Sequence, residues 1–195
     1  MKLPLPVPLR LFVLFTGLLL STSLFANEVR TKQWPDGTVK EQVEYDDFGN
    51  KDGDAKFFYE DGTPKEESSY REGRLHGKSK TWYEDGVNKF EGGYYQGKRH
   101  GDFRTWYTNG QLERHQQFAK DVLNGVDEKF TREGKPLYVS NYQHGTRHGL
   151  EISYFSDGTK KKEQPWVEGK RKGRVRQWHA NGNLKLDAVR DGSKG

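Results

Sequence analysis

"GRLHGKSKTWYEDG" (Gly73–Gly86) decides the fold, because nearly the same line returns as "GKRHGDFRTWYTNG" (Gly97–Gly110). Working outward from this pair, the glycines keep a step of 24 residues. Gly53, Gly77, Gly101, Gly125, Gly149 and Gly173 form one series. Gly62, Gly86, Gly110, Gly134, Gly158 and Gly182 form a second. Gly49, Gly73, Gly97, Gly145 and Gly169 form a third, with Asp121 in the one substituted place and one extra residue near "YDDFG". Three aromatic series keep the same step. Phe58, Trp82, Trp106, Phe130, Tyr154 and Trp178 form the first. Trp34, Tyr59, Tyr83, Tyr107 and Phe155 form the second, from which Thr131 and His179 depart. Tyr45, Tyr70, Tyr94, Phe118, Tyr142 and Trp166 form the third. Self-similarity at a fixed period marks a tandem array, here six full units and a partial seventh.

Each unit reads as a β-hairpin. "EDG", "TNG", "REG", "SDG" and "ANG" are tight-turn signals, and the Gly-x-x-His-Gly link is read as the second turn. In "GQLERHQQF", Leu112 and Phe118 fall on one face, with Glu113, His115 and Gln117 on the other, which is the period of a strand. Pro64, Pro136 and Pro165 fall in second strands and are expected to weaken those ladders. A single hairpin is marginal in water. Aromatics stacked on their counterparts in the next unit would supply what it lacks, and Trp106 is the natural test of that stacking. The expected fold is all-β. It is an elongated, twisted, single-layer antiparallel sheet, and strands about 4.8 Å apart make it roughly 60–70 Å long.

Residues 1–26 are a different kind of sequence. Lys2 and Arg10 precede the apolar "LFVLFTGLLL" and the small residues of "STSLFA". This is the layout of a helical signal peptide, cleaved after Ser23 or Ala26. The uncharged run, Leu11–Ala26, is short for a membrane span of roughly 20 residues. Export to the periplasm or out of the cell is the expectation, with residues 27–195 as the working domain. Without Lys2 and Arg10, the 33 basic residues become 31 against 28 acidic, so the net charge falls from +5 to +3. There are no cysteines, so an exported chain has no disulfide to lean on. The polar tail "DAVRDGSKG" (Asp187–Gly195) is read as a fraying cap.

The residues "WYEDGVNKFEGGYYQGKRHG" (Trp82–Gly101) carry a resemblance. They resemble the bacterial variant of the MORN repeat, and arrays of this kind are similar to the YwqK-type antitoxin family. The resemblance implies a non-enzymatic scaffold with varied partners, a masked toxin among them. "FTREGKPLYVSNYQHG" departs from the pattern at Thr131 and Tyr138, so an irregular surface is expected there.

No chemistry stands out beside this. His76, His100 and His148 recur at one or two repeat lengths, about 10–20 Å, too far apart to converge on one metal ion. They are read as turn residues bonding their own loops. No nucleophile elbow or phosphate loop is present, so no catalytic residue and no cofactor is expected. The candidate partner-binding or stacking aromatics are Trp82, Tyr83, Trp106, Tyr107, Trp166 and Trp178. A candidate basic patch comprises Lys170, Arg171, Lys172, Arg174 and Arg176 beside Trp178. Export argues against nucleic acid as its target and leaves anionic headgroups, glycans or an acidic protein. Lys and Glu are interleaved elsewhere, which favours a protein partner over a membrane or cell-envelope surface.

Overall fold

The computed structural model describes residues 27–192; the segment read as a signal peptide lies outside them. The described chain is one open sheet of fifteen strands in which neighbours follow chain order and run antiparallel. The strands are β1 (Glu28–Gln33), β2 (Val39–Tyr45), β3 (Lys51–Phe58), β4 (Pro64–Arg71), β5 (Arg74–Trp82), β6 (Asn88–Tyr95), β7 (Lys98–Trp106), β8 (Leu112–Ala119), β9 (Val122–Phe130), β10 (Pro136–Gln143), β11 (Thr146–Arg147), β12 (Gly149–Tyr154), β13 (Lys160–Val167), β14 (Lys170–Trp178) and β15 (Leu184–Asp191). Most of the polar tail is thus the second half of β15 rather than a frayed cap.

Two kinds of turn alternate along the chain. At one edge the loop has three residues: the Tyr83 N–H donates to the Val87 carbonyl, and the Gly86 N–H donates to the Tyr83 carbonyl, both at 2.9 Å. Gly86 takes positive φ, and the Asp85 carboxylate accepts from the Val87 N–H at 3.1 Å. At the other edge two residues suffice. Glu72 (φ 49°) and Gly73 (φ 74°) turn the chain between the paired Arg71 and Arg74, a geometry that matches strand twist and favours glycine second. Asp121 holds the same place at φ 72°, and its carboxylate accepts the Arg99 N–H at 3.0 Å. The extra residue of the first unit widens this turn to three residues, with Gly49 N–H donating to the Asp46 carbonyl. The Gly-x-x-His-Gly segment is therefore not a turn. Only its first glycine is; His76 and His100 belong to β5 and β7.

The second glycine of that segment has another task. Gly53, Gly77, Gly101, Gly125 and Gly149 each face a third-series aromatic across the strand pair: Tyr70, Tyr94, Phe118, Tyr142 and Trp166. A glycine opposite an aromatic leaves backbone for the ring to cover. Pro165 causes no broken ladder, because it lies in the register shift between Glu163 and Trp166 on the β14 side. Pro64 and Pro136 are the first residues of their strands.

The buried centre corrects the expectation of aromatics stacked on their own counterparts. Cross-strand pairing runs Val43, Ala55, Ser68, Ser79, Gly92, Phe103, Gln116, Asp127 and Ser140 in one line. Most of this line is buried, and it is mainly small or polar. Ser68 and Ser79 satisfy each other at 2.8 Å. Phe103 fills the middle, with Tyr94 and Phe118 on either side at 5.3 and 5.2 Å and Phe90 at 5.7 Å. Consecutive third-series rings are thus bridged by Phe103. The second series holds units together by hydroxyl instead: Tyr59, Tyr83 and Tyr107 donate to the carbonyls of Trp82, Trp106 and Phe130 at 2.8–2.9 Å.

The backbones of β6 and β7 approach closely at Gly93. A methyl group on Gly93 would stand 2.4 Å from the His100 carbonyl oxygen. That neighbour is backbone and cannot rotate away. Gly93→Ala is expected to force the two strands apart and cost about 1–3 kcal/mol, read as a lower denaturation midpoint with an unchanged slope.

The opposite face carries a ladder in which charge alternates except at Arg104–His115 and Val139–Ile152: Lys56, Glu67, Lys80, Glu91, Arg104, His115, Glu128, then Val139 and Ile152, then Glu163, Arg176 and Asp187. Lys56–Glu67 close to 3.4 Å and Arg176–Glu163 to 3.5 Å. Such half-exposed pairs contribute little each, but opposite charges directly across favour this register and like charges oppose others. The irregular surface expected near Thr131 and Tyr138 coincides with a weakened ladder. There β12 pairs β10 only at Tyr138–Ser153 and Val139–Ile152, and β11 branches off.

Candidate partner-binding surface

Trp82, Tyr83, Trp106, Tyr107 and Trp178 stand at the three-residue-turn edge and are half-buried. Tyr83 and Tyr107 are tethered through their hydroxyls to the next unit. Lys89 lies 5.5 Å from the Tyr83 ring centre, as Lys65 lies 5.3 Å from that of Tyr59. Trp166 is separate from this group. It lies on β13 between two guanidinium groups, Arg147 at 5.0 Å and Arg171 at 5.4 Å.

Four residues of the basic patch, Lys170, Lys172, Arg174 and Arg176, share one face of β14, and Arg171 lies on the other. Successive strand residues point to opposite faces, so Arg171 goes to Trp166 while Arg174 and Arg176 go to the charged face. Arg174 forms a double hydrogen bond with Asp187 at 2.6 and 2.7 Å. Arg176 reaches Glu163 and Asp187. Lys170 and Lys172 stay exposed.

Two of the histidines serve ring packing. His76 and His100 flank Tyr95 at 5.1 and 6.3 Å. His148 donates its main-chain N–H to the Asn141 carbonyl at 2.9 Å. His115, in the charge ladder, sits between Asp102 (2.7 Å from Nε2) and Glu128 (3.3 Å from Nδ1). The hydrogen bond to His115 holds the Asp102 carboxyl below its ordinary range.

A shallow polar depression lies at the irregular unit. Arg114, Asp127, Tyr138, Ser140, Tyr142, Arg147, Glu151 and Ser153 line it. Asp127 accepts two hydrogen bonds from Arg114, at 2.9 and 3.0 Å, and one from the Tyr138 hydroxyl at 3.0 Å. The bonds to Asp127 raise the Arg114 pKa. Burial, with the Asp127 charge beside it, pushes the Tyr138 phenol from 10.0 up to about 12. A pKa raised in the folded state means that the neutral phenol supports the fold fully below pH 10, and that this support is lost as pH rises through about 12. An ultraviolet titration should show wild type ionising one more tyrosine than Tyr138→Phe in its most alkaline step. Equal amplitudes there would remove the assignment.

Sequence reasoning missed the row of apolar side chains at the two-residue-turn edge. Phe48 is 91% exposed, Tyr95 45%, Val122 44% and Val167 39%. They flank or form four of the six turns at this edge among the described residues, those of Tyr95 and Val122 being adjacent, and the Gly97 and Gly145 N–H groups bond the carbonyls of Leu75 and Leu123 in the preceding units at 2.8 Å. Tyr95 and Val167 share one position of the 24-residue step, but its other occupants are Arg71, Ala119 and Gln143, and Arg74 and Lys98 stand at the position of Val122. With no regular apolar period, they gave no signal.

A single-layer array of hairpins with one self-neutralised face and an apolar turn edge defines a repeat scaffold. The MORN repeat variant matches residues 51–72 and 99–120. The two segments are two periods apart, and each is one complete hairpin, β3–β4 and β7–β8. These matches support reading the chain as a MORN repeat protein; such repeats are non-catalytic scaffolds that often bind proteins or membranes. No curated protein matches the chain. Among the described residues no helix is long and apolar enough to cross a membrane.

Proposed function

We propose that this chain is an exported, non-catalytic scaffold that binds a protein partner along its two-residue-turn edge. The observation that carries this reading is the exposed row of Phe48, Tyr95, Val122 and Val167. The partly exposed Trp82, Tyr83, Trp106, Tyr107, Trp166 and Trp178 extend the contact to the rest of the surface. Rigid aromatics with a polar rim suit protein recognition. The charge ladder favours a protein over an anionic membrane, because its lysines and arginines are paired by carboxylates on the same face. Immunity is the finer form of the proposal: the scaffold would mask a toxin in the cell envelope or outside the cell.

The test is affinity capture from an envelope extract, run with wild type and with a Tyr95→Ala, Val122→Lys, Val167→Lys variant. All three positions are exposed, so the variant should keep the wild-type melting temperature. One protein retained by wild type and lost by the variant supports the reading. If that protein is toxic when produced alone, the immunity form stands. Retention on anionic vesicles, released by salt, with no protein dependent on Tyr95, would replace the proposal with an envelope-surface binder.

A further inference from the structure

We infer that the two outer strands join copies of this chain head to tail. Among the described residues, β1 pairs only with β2, and β15 pairs only with β14. Each keeps one row of unpaired backbone groups, the template on which another strand adds. Both carry exposed apolar side chains: Val29 on β1 is 57% exposed, and Leu184 and Val189 on β15 are 54% and 77% exposed.

The phase of the repeat says what fits there. Apart from the offset at β11 and β12, strands of two kinds alternate: one leaves a two-residue-turn edge, the other returns to it. By the 24-residue step, β1 is of the leaving kind, like β5 and β7, and β15 is of the returning kind, like β4 and β6. Inside the sheet a returning strand is always followed by a leaving one, antiparallel, as in β4–β5 and β6–β7. Placing β1 of a second copy beside β15 repeats that step without the connecting turn. Pairing β15 with another β15 would set two returning strands together, a juxtaposition found nowhere in the described sheet.

The register follows from β4–β5, where Ser68 pairs with Ser79, Glu67 with Lys80 and Glu66 with Thr81. Arg30 and Ala188 occupy the central row, through their pairing with Val43 and Val175. The join therefore sets Ala188 against Arg30 of the next copy, Asp187 against Thr31 and Leu186 against Lys32. Ala188 is small and leaves room for the arginine. On the charged face Val189 stands where Ser69 stands, inside the register shift between Ser68 and Tyr70, and Val29 stands where Lys78 stands, next to Ser79 at the start of that shift, so the two valines are near neighbours at the join. Edge charges ordinarily keep strands apart, but here several of them are already paired within one chain. Arg30 holds Glu28 at 2.7 Å, Lys32 holds Glu41 at 2.6 Å, and Arg174 holds Asp187 at 2.6 Å. Two different surfaces meet, so the interface is heterologous and gives open chains rather than a closed dimer. It leaves the turn edge free, so it stands or falls independently of the proposed partner.

Sedimentation velocity over a wide concentration range tests it. The purified protein should gain mass with concentration. Val29→Lys and Val189→Lys should each stay single, with unchanged melting temperature. Their mixture should form dimers and nothing larger, because each variant retains the complementary edge. The chain has no cysteine, so Val29→Cys and Val189→Cys give a second readout. A disulfide should form between the two variants when mixed and not within either alone. A wild type that stays single at every concentration, or Val29→Cys cross-linking to itself as readily as to Val189→Cys, overturns the inference.

Discussion

Phe103→Ala is expected to lower stability by about 3–5 kcal/mol, the range for deleting a core phenylalanine. Phe103 is 8% exposed and is the ring on which Phe90, Tyr94 and Phe118 converge. Its cross-strand neighbours are Gly92 and Gln116. Gly92 has no side chain to move into the space: even a single carbon there would lie 2.6 Å from both Phe103 and Phe90. Removing the ring thus leaves a gap that the strands, fixed by their own ladder, cannot close. In a repeat array the loss spreads to adjoining units, since each is stable only through its neighbours. Trp106→Ala is the contrast. Its ring is half-buried, and its tie to the preceding unit is its main-chain carbonyl, which accepts from Tyr83 and survives the substitution. Denaturant unfolding of the two variants should rank Phe103→Ala far below Trp106→Ala. The reverse order would return the core to the first aromatic series.

That ranking marks how far the sequence could be read. The period, the hairpins and the three-residue turns were legible, and the other turn only to its first glycine, because turns demand particular residues: glycine, or Asp121 in its place, where φ must be positive. The extra residue at "YDDFG" was visible too, and it widens one turn. The interior was not legible. Ser68, Ser79, Gln116 and Asp127 carry no apolar signature, and only cross-strand register shows that they share one line with Phe103. The bulges that set this register leave no mark in composition. For the same reason Lys56, Glu67, Lys80 and Glu91 read as interleaved charge, although a 24-residue step links Lys56 to Lys80 and Glu67 to Glu91. They form a ladder because hairpins put them opposite one another. In the cluster Lys170–Arg176, strand alternation sets Arg171 apart from Lys170, Lys172, Arg174 and Arg176, and carboxylates already hold Arg174 and Arg176. The candidate surface was harder still, since its apolar residues do not recur in every unit: Tyr95 and Val167 share one position, but Arg71, Ala119 and Gln143 fill it elsewhere.

Arg114→Ala should be the second most damaging change, at about 3 kcal/mol, the low end for removing one partner of a buried ion pair. The asymmetry of the pair decides which partner matters. The Asp127 side chain is 5% exposed, and that of Arg114 is 42% exposed. Without Arg114, the Asp127 carboxylate stays in the central row with the Tyr138 hydroxyl as its remaining side-chain donor. Without Asp127, the guanidinium can turn to water, so Asp127→Ala should cost less. Replacing both, as Arg114→Met with Asp127→Leu, should come close to wild type, because two apolar groups need no charge compensation in that line. The double-mutant cycle isolates the coupling. A large coupling with a near-neutral double variant means that the pair selects strand register rather than adding stability. If the double variant is as unstable as Arg114→Ala, the line must stay polar at this point, and Ser140 and Tyr138, which share the depression, become the next residues to replace.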